Sequence, residues 1–175
     1  MKKILIVFKT ILMLIIMFFV TSCTFLKSND EITDEKVQSF ISFLDKNDKN
    51  KIYNTFAKSK ICDIDDFAKT IDLLLEYYEG TYQSKELNTK GEESDKNGDY
   101  KAKWLVLSYH VLTSTNEYRI FFYWCTEYSI DENSIGIWSF YIIKEEDYPT
   151  KEKSYGGDGL RTFGINIGKL KNEDK

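Results

Sequence analysis

The chain has 175 residues, 24 basic and 28 acidic side chains, one histidine and a formal charge of −4. That length holds one domain with extensions. The acidic balance, with Arg119 and Arg161 as its only arginines, disfavours nucleic acid and anionic lipid as partners, because both are bound through clustered lysine and arginine.

Lys2 and Lys3 precede an apolar run, Ile4 to Val20, interrupted only by Lys9 and Thr10, which has the charge and length pattern of a secretory signal. The following Val20-Thr21-Ser22-Cys23 resembles the lipobox of bacterial lipoproteins, in which the cysteine is diacylated and becomes the new N-terminus. A spanning helix of about 20 apolar residues is the competing reading, and Lys9 together with the small residues before Cys23 argues against it. The expectation is a signal peptide over 1–22 and a lipidated, palmitate-carrying Cys23. Its acyl chains, contributing about 0.8 kcal/mol per buried methylene, hold the protein to the extracytoplasmic face of the cell membrane. Removing Lys2, Lys3 and Lys9 makes the exported part more acidic still, which favours solubility over contact with an anionic envelope.

Cys62 and Cys125 remain, and an exported chain can oxidise them; the sequence leaves open whether they pair or act as two small buried hydrophobes. No histidine or third cysteine stands near them at metal spacing, so no metal site and no cofactor are expected.

Residues 23–32 read as a flexible tether, 33–147 as the folded domain and 148–175 as a C-terminal extension. Thr33 is placed to cap a helix with Asp34 and Glu35 in its first turn, and Val37, Phe40, Ile41 and Leu44 recur at helical spacing. Asp48 starts a second, shorter helix with Ile52, Tyr53 and Phe56 on its apolar side. The third has Asp63 as its cap, Asp65 and Asp66 at its positive end, and Phe67, Ile71, Leu74, Leu75 and Tyr78 before Gly80.

From Thr81 the period changes to two. A first strand is expected over 81–87, and the charged stretch Asn88 to Asp99 as an exposed loop. Three strands follow, Lys101 to Thr113, Tyr118 to Tyr128 and Ile135 to Lys144, in an antiparallel meander. On the second, Arg119, Phe121, Tyr123, Cys125 and Glu127 are expected to share one face and Tyr118, Ile120, Phe122, Trp124 and Thr126 the other. Both faces are largely apolar, so helices cover one and a ligand, a partner or the tail meets the other. Past Pro149, the segment Ser154 to Gly159 is rich in glycine without a P-loop lysine or EF-hand carboxylates, and Leu160 to Ile167 could cover a sheet edge.

The fold class is therefore α+β: three N-terminal helices packed on a curved, mainly antiparallel four-stranded sheet. In this order of elements the chain resembles the cystatin-like superfamily that includes nuclear transport factor two, ketosteroid isomerase and scytalone dehydratase, which implies a cone. More narrowly, Ile41 to Asp48, the Ile71 to Gly80 helix end, Tyr118 to Trp124 and Ile135 to Ile137 resemble an uncharacterised family of Gram-positive lipoproteins, domain of unknown function 5104. A composition rich in lysine, asparagine and isoleucine, with one proline, suits an AT-rich genome. The resemblance covers about Asp30 to Lys144 and carries no functional residue over.

Enzymes of the cone superfamily keep an acid or base carboxylate and tyrosines inside the pocket, where desolvation raises the carboxyl pKa. Here His110, Tyr123 and Glu127 are the catalytic candidates, and Trp104, Arg119 and Tyr123 the candidates for binding a ligand. A lone histidine without a neighbouring nucleophile or carboxylate is more commonly a core or rim residue, and the Arg119, Tyr123, Glu127 spacing suits a solvated face as well as a pocket. Twelve tyrosines, twelve phenylalanines and three tryptophans are the positive sign of binding. The favoured function is a non-enzymatic, membrane-anchored domain that binds an apolar or peptide ligand or an envelope protein. A small hydrolase or isomerase and a structural or immunity-type surface protein are the alternatives.

Overall fold

The computed structural model describes residues 29–62, 64, 66–148 and 164–167. Cys23 with its signal, Asp63, Asp65, Pro149 and the Ser154 to Gly159 segment lie outside these residues. The chain divides into two units, 1–37 and 38–175. The described part of the first is helical, and helix α1 covers Asn29–Asp45, opening four residues ahead of the expected Thr33 cap.

In the second unit α1 is followed by α2 (Lys49–Thr55), α3 (Lys58–Ile61) and α4 (Phe67–Tyr77). Asp48 caps α2 as its position predicts, its carboxylate accepting from the Lys51 backbone N–H at 3.1 Å. The short α3 has no apolar period to announce it, so the described residues hold four helices where three are expected. Asp66, in the left-handed region at φ +53°, precedes α4 without a side-chain cap.

The sheet has five strands, β1 (Tyr82–Asn97), β2 (Tyr100–Thr113), β3 (Glu117–Tyr128), β4 (Gly136–Lys144) and β5 (Ile165–Ile167), hydrogen-bonded in that order. Every pairing is antiparallel. Two expectations are corrected here. The sheet gains a fifth strand because Ile165 to Ile167 pairs with Phe140 to Ile142, covering the β4 edge as the apolar tail suggests. The charged stretch Asn88 to Asp99 is not a loop: β1 continues to Asn97, and Gly98 at φ +61° turns the chain directly into Tyr100. Positive φ at the first central residue is what a two-residue hairpin asks of glycine. Polar residues extend the strand because β2 supplies the ladder and the edge faces water, where charges also block pairing with other sheets. Lys90 and Glu92 stand opposite Leu107 and Leu105 and stay exposed.

One face of the sheet is dry. Leu107, Phe122, Phe140, Ile120 and Ile142 are buried against Phe40, Ile41 and Leu44 of α1, Ile52 of α2 and Ile71 and Leu74 of α4. Phe40 is the hub, with ring centroids 5.4 Å from Phe122, 5.0 Å from Phe140 and 6.2 Å from Phe56. The corner between α4 and β1 hangs on Tyr118, fully buried, whose hydroxyl donates to the Tyr77 carbonyl at 3.1 Å and accepts the Glu79 N–H at 2.8 Å. Beside it Asp45, at the end of α1, accepts from the Tyr78 hydroxyl and the Tyr82 backbone N–H, both at 3.0 Å, and burial pushes the Tyr78 hydroxyl well above its usual range.

Candidate functional site

The opposite, outer face carries the sequence-derived candidates in cross-strand rows. Glu86, His110, Arg119 and Ile143 form one row, Thr89, Ser108, Phe121 and Tyr141 the next, then Gly91, Val106, Tyr123 and Ser139, and last Glu93, Trp104, Cys125 and Gly136. His110 and Arg119 are thus neighbours, whereas Trp104 and His110, six residues apart on β2, are separated by about 20 Å.

At the far end two bulges gather rings. The ladders skip Thr126 between Glu127 and Cys125, and Trp138 between Ile137 and Ser139. A bulge re-aims the side chains beyond it. Trp138 joins the outer face, its centroid 5.3 Å from Trp104 and 6.1 Å from Tyr123, and Tyr128 arrives 5.9 Å from Trp138. Trp104 and Tyr123 lie parallel within 5°, centroids 6.3 Å apart. The four rings remain half-buried, and Lys60 covers Trp138 with its ammonium 4.2 Å from the ring centre. The Tyr123 hydroxyl donates to Glu93 at 2.9 Å. Burial first, and then that carboxylate, push the Tyr123 phenol far above its usual range. Trp138 donates its indole N–H to the Ser134 carbonyl at 2.6 Å. The indole nitrogen of Trp104 is buried without a partner, an uncommon condition for a strong donor.

The same bulge corrects the expected face of Glu127. Beyond Thr126 it is turned to the other side of the sheet, exposed and opposite Lys103, so Glu127 does not join Arg119 and Tyr123. Arg119 instead holds the turn Glu145–Asp147 that follows β4. Its guanidinium makes two bonds to Glu145, 2.6 and 2.7 Å, and lies 3.4 Å from the Tyr148 ring centre. His110 Nδ1 is 3.8 Å from the same Glu145 carboxylate.

The bonds from Arg119 hold the Glu145 carboxyl below its usual range. A carboxyl depressed in the folded state stabilises it above the unfolded value, near 4.5, and loses that contribution as pH falls through the folded value. Urea unfolding of wild type and Glu145→Gln is expected to differ by at most about 1 kcal/mol at neutral pH, since the carboxylate is partly solvated. The difference should shrink as pH falls below about 4.5 and through the folded value.

Around His110 the outer face opens into a groove of about 710 Å³ whose lining includes Glu86, Asn88, Leu112 and Glu117. This is the size of a small-ligand site. Sequence reasoning expected the strand that lines it but not the groove, because the groove depends on that strand pairing with β2, and the Asn97-Gly98-Asp99 turn was the available signal of that pairing. Cys62 and Cys125 are both free thiols. Cys62 is exposed, while burial pushes the Cys125 thiol up to about 11, far from a reactive thiolate. Among the described residues no group of three or more metal-ligating side chains comes together.

Helices in front of an antiparallel meander, with a filled helix side and a ring-bearing outer side, define a small α+β domain. Residues 39–145 match the model of a family described as Domain of unknown function (DUF5104), and the chain belongs to that family. All four segments that carry the resemblance, from Ile41 to Ile137, fall inside the match. No curated protein matches the chain.

Proposed function

We propose that this protein is a lipid-anchored, extracytoplasmic binding domain of a Gram-positive cell, a cystatin-like cone that presents the outer face of its sheet to a ligand or an envelope partner. One observation carries the reading: the helix side of the sheet is filled by Phe40, Phe56, Phe122 and Phe140, while Trp104, Tyr123, Tyr128 and Trp138 stay half-exposed on the other side. The space between helices and sheet is filled by phenylalanine rings rather than by titratable groups, and His110, Tyr123 and Glu127 do not converge. The anchoring half of the reading rests on the sequence around Cys23; among the described residues no helix is long and apolar enough to cross a membrane.

The two halves are tested in intact cells. Cys23→Ser is expected to lose fatty-acid labelling and leave the membrane fraction, and retention of either property overturns the anchor. A photo-crosslinking side chain at position 123 is expected to give a mass-shifted adduct. The same group at Tyr53, 43% exposed on α2, gives none. No adduct at 123, or equal labelling from both sites, overturns the binding face.

A further inference from the structure

We propose that the outer face binds a neutral oligosaccharide laid along β2, its sugar rings against Trp104, Tyr123 and Trp138 and its far end hydrogen-bonded in the groove around His110. This names the ligand class for the binding face and rests on that reading. β2 and β3 are hydrogen-bonded on both sides, so their backbone groups are used up and a peptide could add a strand only at β1 or β5. A ligand on this face is recognised by side chains alone. The ring centroids stand 5.3 to 6.3 Å apart, Trp104 and Tyr123 parallel and Trp138 edge-on to both, so the cluster is packed on itself, and its half-exposed outer surface is what a ligand would meet. The C–H side of a sugar ring carries partial positive charge and suits the negative face of an aromatic ring.

Charge narrows the class further. The cations nearby are engaged, Arg119 with Glu145 and Tyr148, Lys60 over Trp138 and Lys85 over Tyr109. Glu86 and Glu117 face the groove without an ion pair among the described residues. Such a surface repels anions and presents acceptors to hydroxyl donors. Between the rings and the groove Thr89, Gly91 and Val106 are at least partly exposed and Ser108 is buried, with the Asn88 amide donating to its hydroxyl at 3.4 Å, over a span of about 20 Å for a linear ligand.

The test uses the full-length chain in a polyoxyethylene detergent, because sugar-headed detergents would compete. Cellohexaose, chitohexaose and maltohexaose serve as neutral probes, polygalacturonate as the anionic one and a proline-rich peptide as the competing class. At least one neutral hexasaccharide is expected to shift tryptophan emission saturably. In the same titration it should move the ring-proton signal of His110, the only histidine. Trp138→Ala, and independently Tyr123→Ala, should weaken binding about tenfold with unchanged far-ultraviolet circular dichroism. The proposal is overturned by silence from all three neutral probes, by full affinity in both folded ring variants, by a fluorescence change that leaves His110 unmoved, or by preference for the anion or the peptide. An adduct at position 123 combined with silence from the sugars would sink this proposal and leave the binding face standing.

Discussion

Gly136→Ala is expected to destabilise the domain by about 3 kcal/mol or more, lowering the melting temperature by about 10 °C. Gly136 opens β4 at φ +136°, and the backbone of the α2–α3 junction passes directly over it. A Cβ there would stand 2.7 Å from the Ala57 nitrogen and 2.9 Å from the Phe56 carbonyl carbon and the Thr55 oxygen. These are main-chain atoms, so no side chain can rotate away. Moving them breaks the Ala57 N–H bond to the Ile137 carbonyl, 3.0 Å, and the parallel bridge between Phe56 and Ile137. Gly98→Ala supplies the control. It too has positive φ, but nothing lies within 4 Å of its would-be Cβ, so only the backbone strain of about 1 kcal/mol remains. Thermal unfolding of the two variants checks the argument; equal losses would mean that the approach of the helices to β4 contributes nothing.

The sequence reported best where one physical cause acted alone. The period of Phe67, Ile71 and Leu74 marks α4 because burial on one helix face is its only requirement, and all three are buried there. The alternation of β3 groups Tyr118, Ile120, Phe122 and Trp124 on one face without saying which face is buried, and the structure shows that they are. Failures came where a neighbour decided. Asn88 to Asn97 has loop composition, yet β2 recruits it as an edge strand, and only the Asn-Gly turn hints at this. Glu127 sits two residues beyond Cys125, but the unpaired Thr126 reverses its face; a bulge adds one residue and leaves no compositional mark. The candidate site was legible in its members, since His110 lines the groove and Trp104 and Tyr123 join the ring cluster. Its assembly was not, because Trp138 reaches that cluster only through the second bulge.

Phe40→Ala is the second large effect, an expected loss of about 3 to 5 kcal/mol, a substantial part of the roughly 5 to 15 kcal/mol that holds a domain of this size. Phe40 has no solvent exposure and edge or tilted contacts with Phe56, Phe122 and Phe140. Truncation removes the transfer energy of the ring and leaves a void walled by three aromatic side chains. Those walls cannot close over it: Phe122 and Phe140 are directly paired across the β3–β4 ladder, and Phe56 is pinned by its bridge to Ile137. Phe43, on the same helix, separates this cost from a general effect of shortening α1. It is only partly buried, with Lys51 5.5 Å from its ring centre, and Phe43→Ala should cost about 1 kcal/mol. The binding reading adds a distinguishing consequence. If the interior is a filled core, Phe40→Ala lowers the urea midpoint and leaves ligand affinity of the still-folded fraction unchanged. If the ligand instead enters between helices and sheet, enlarging that space alters affinity at least as much as stability, and the outer face loses its claim.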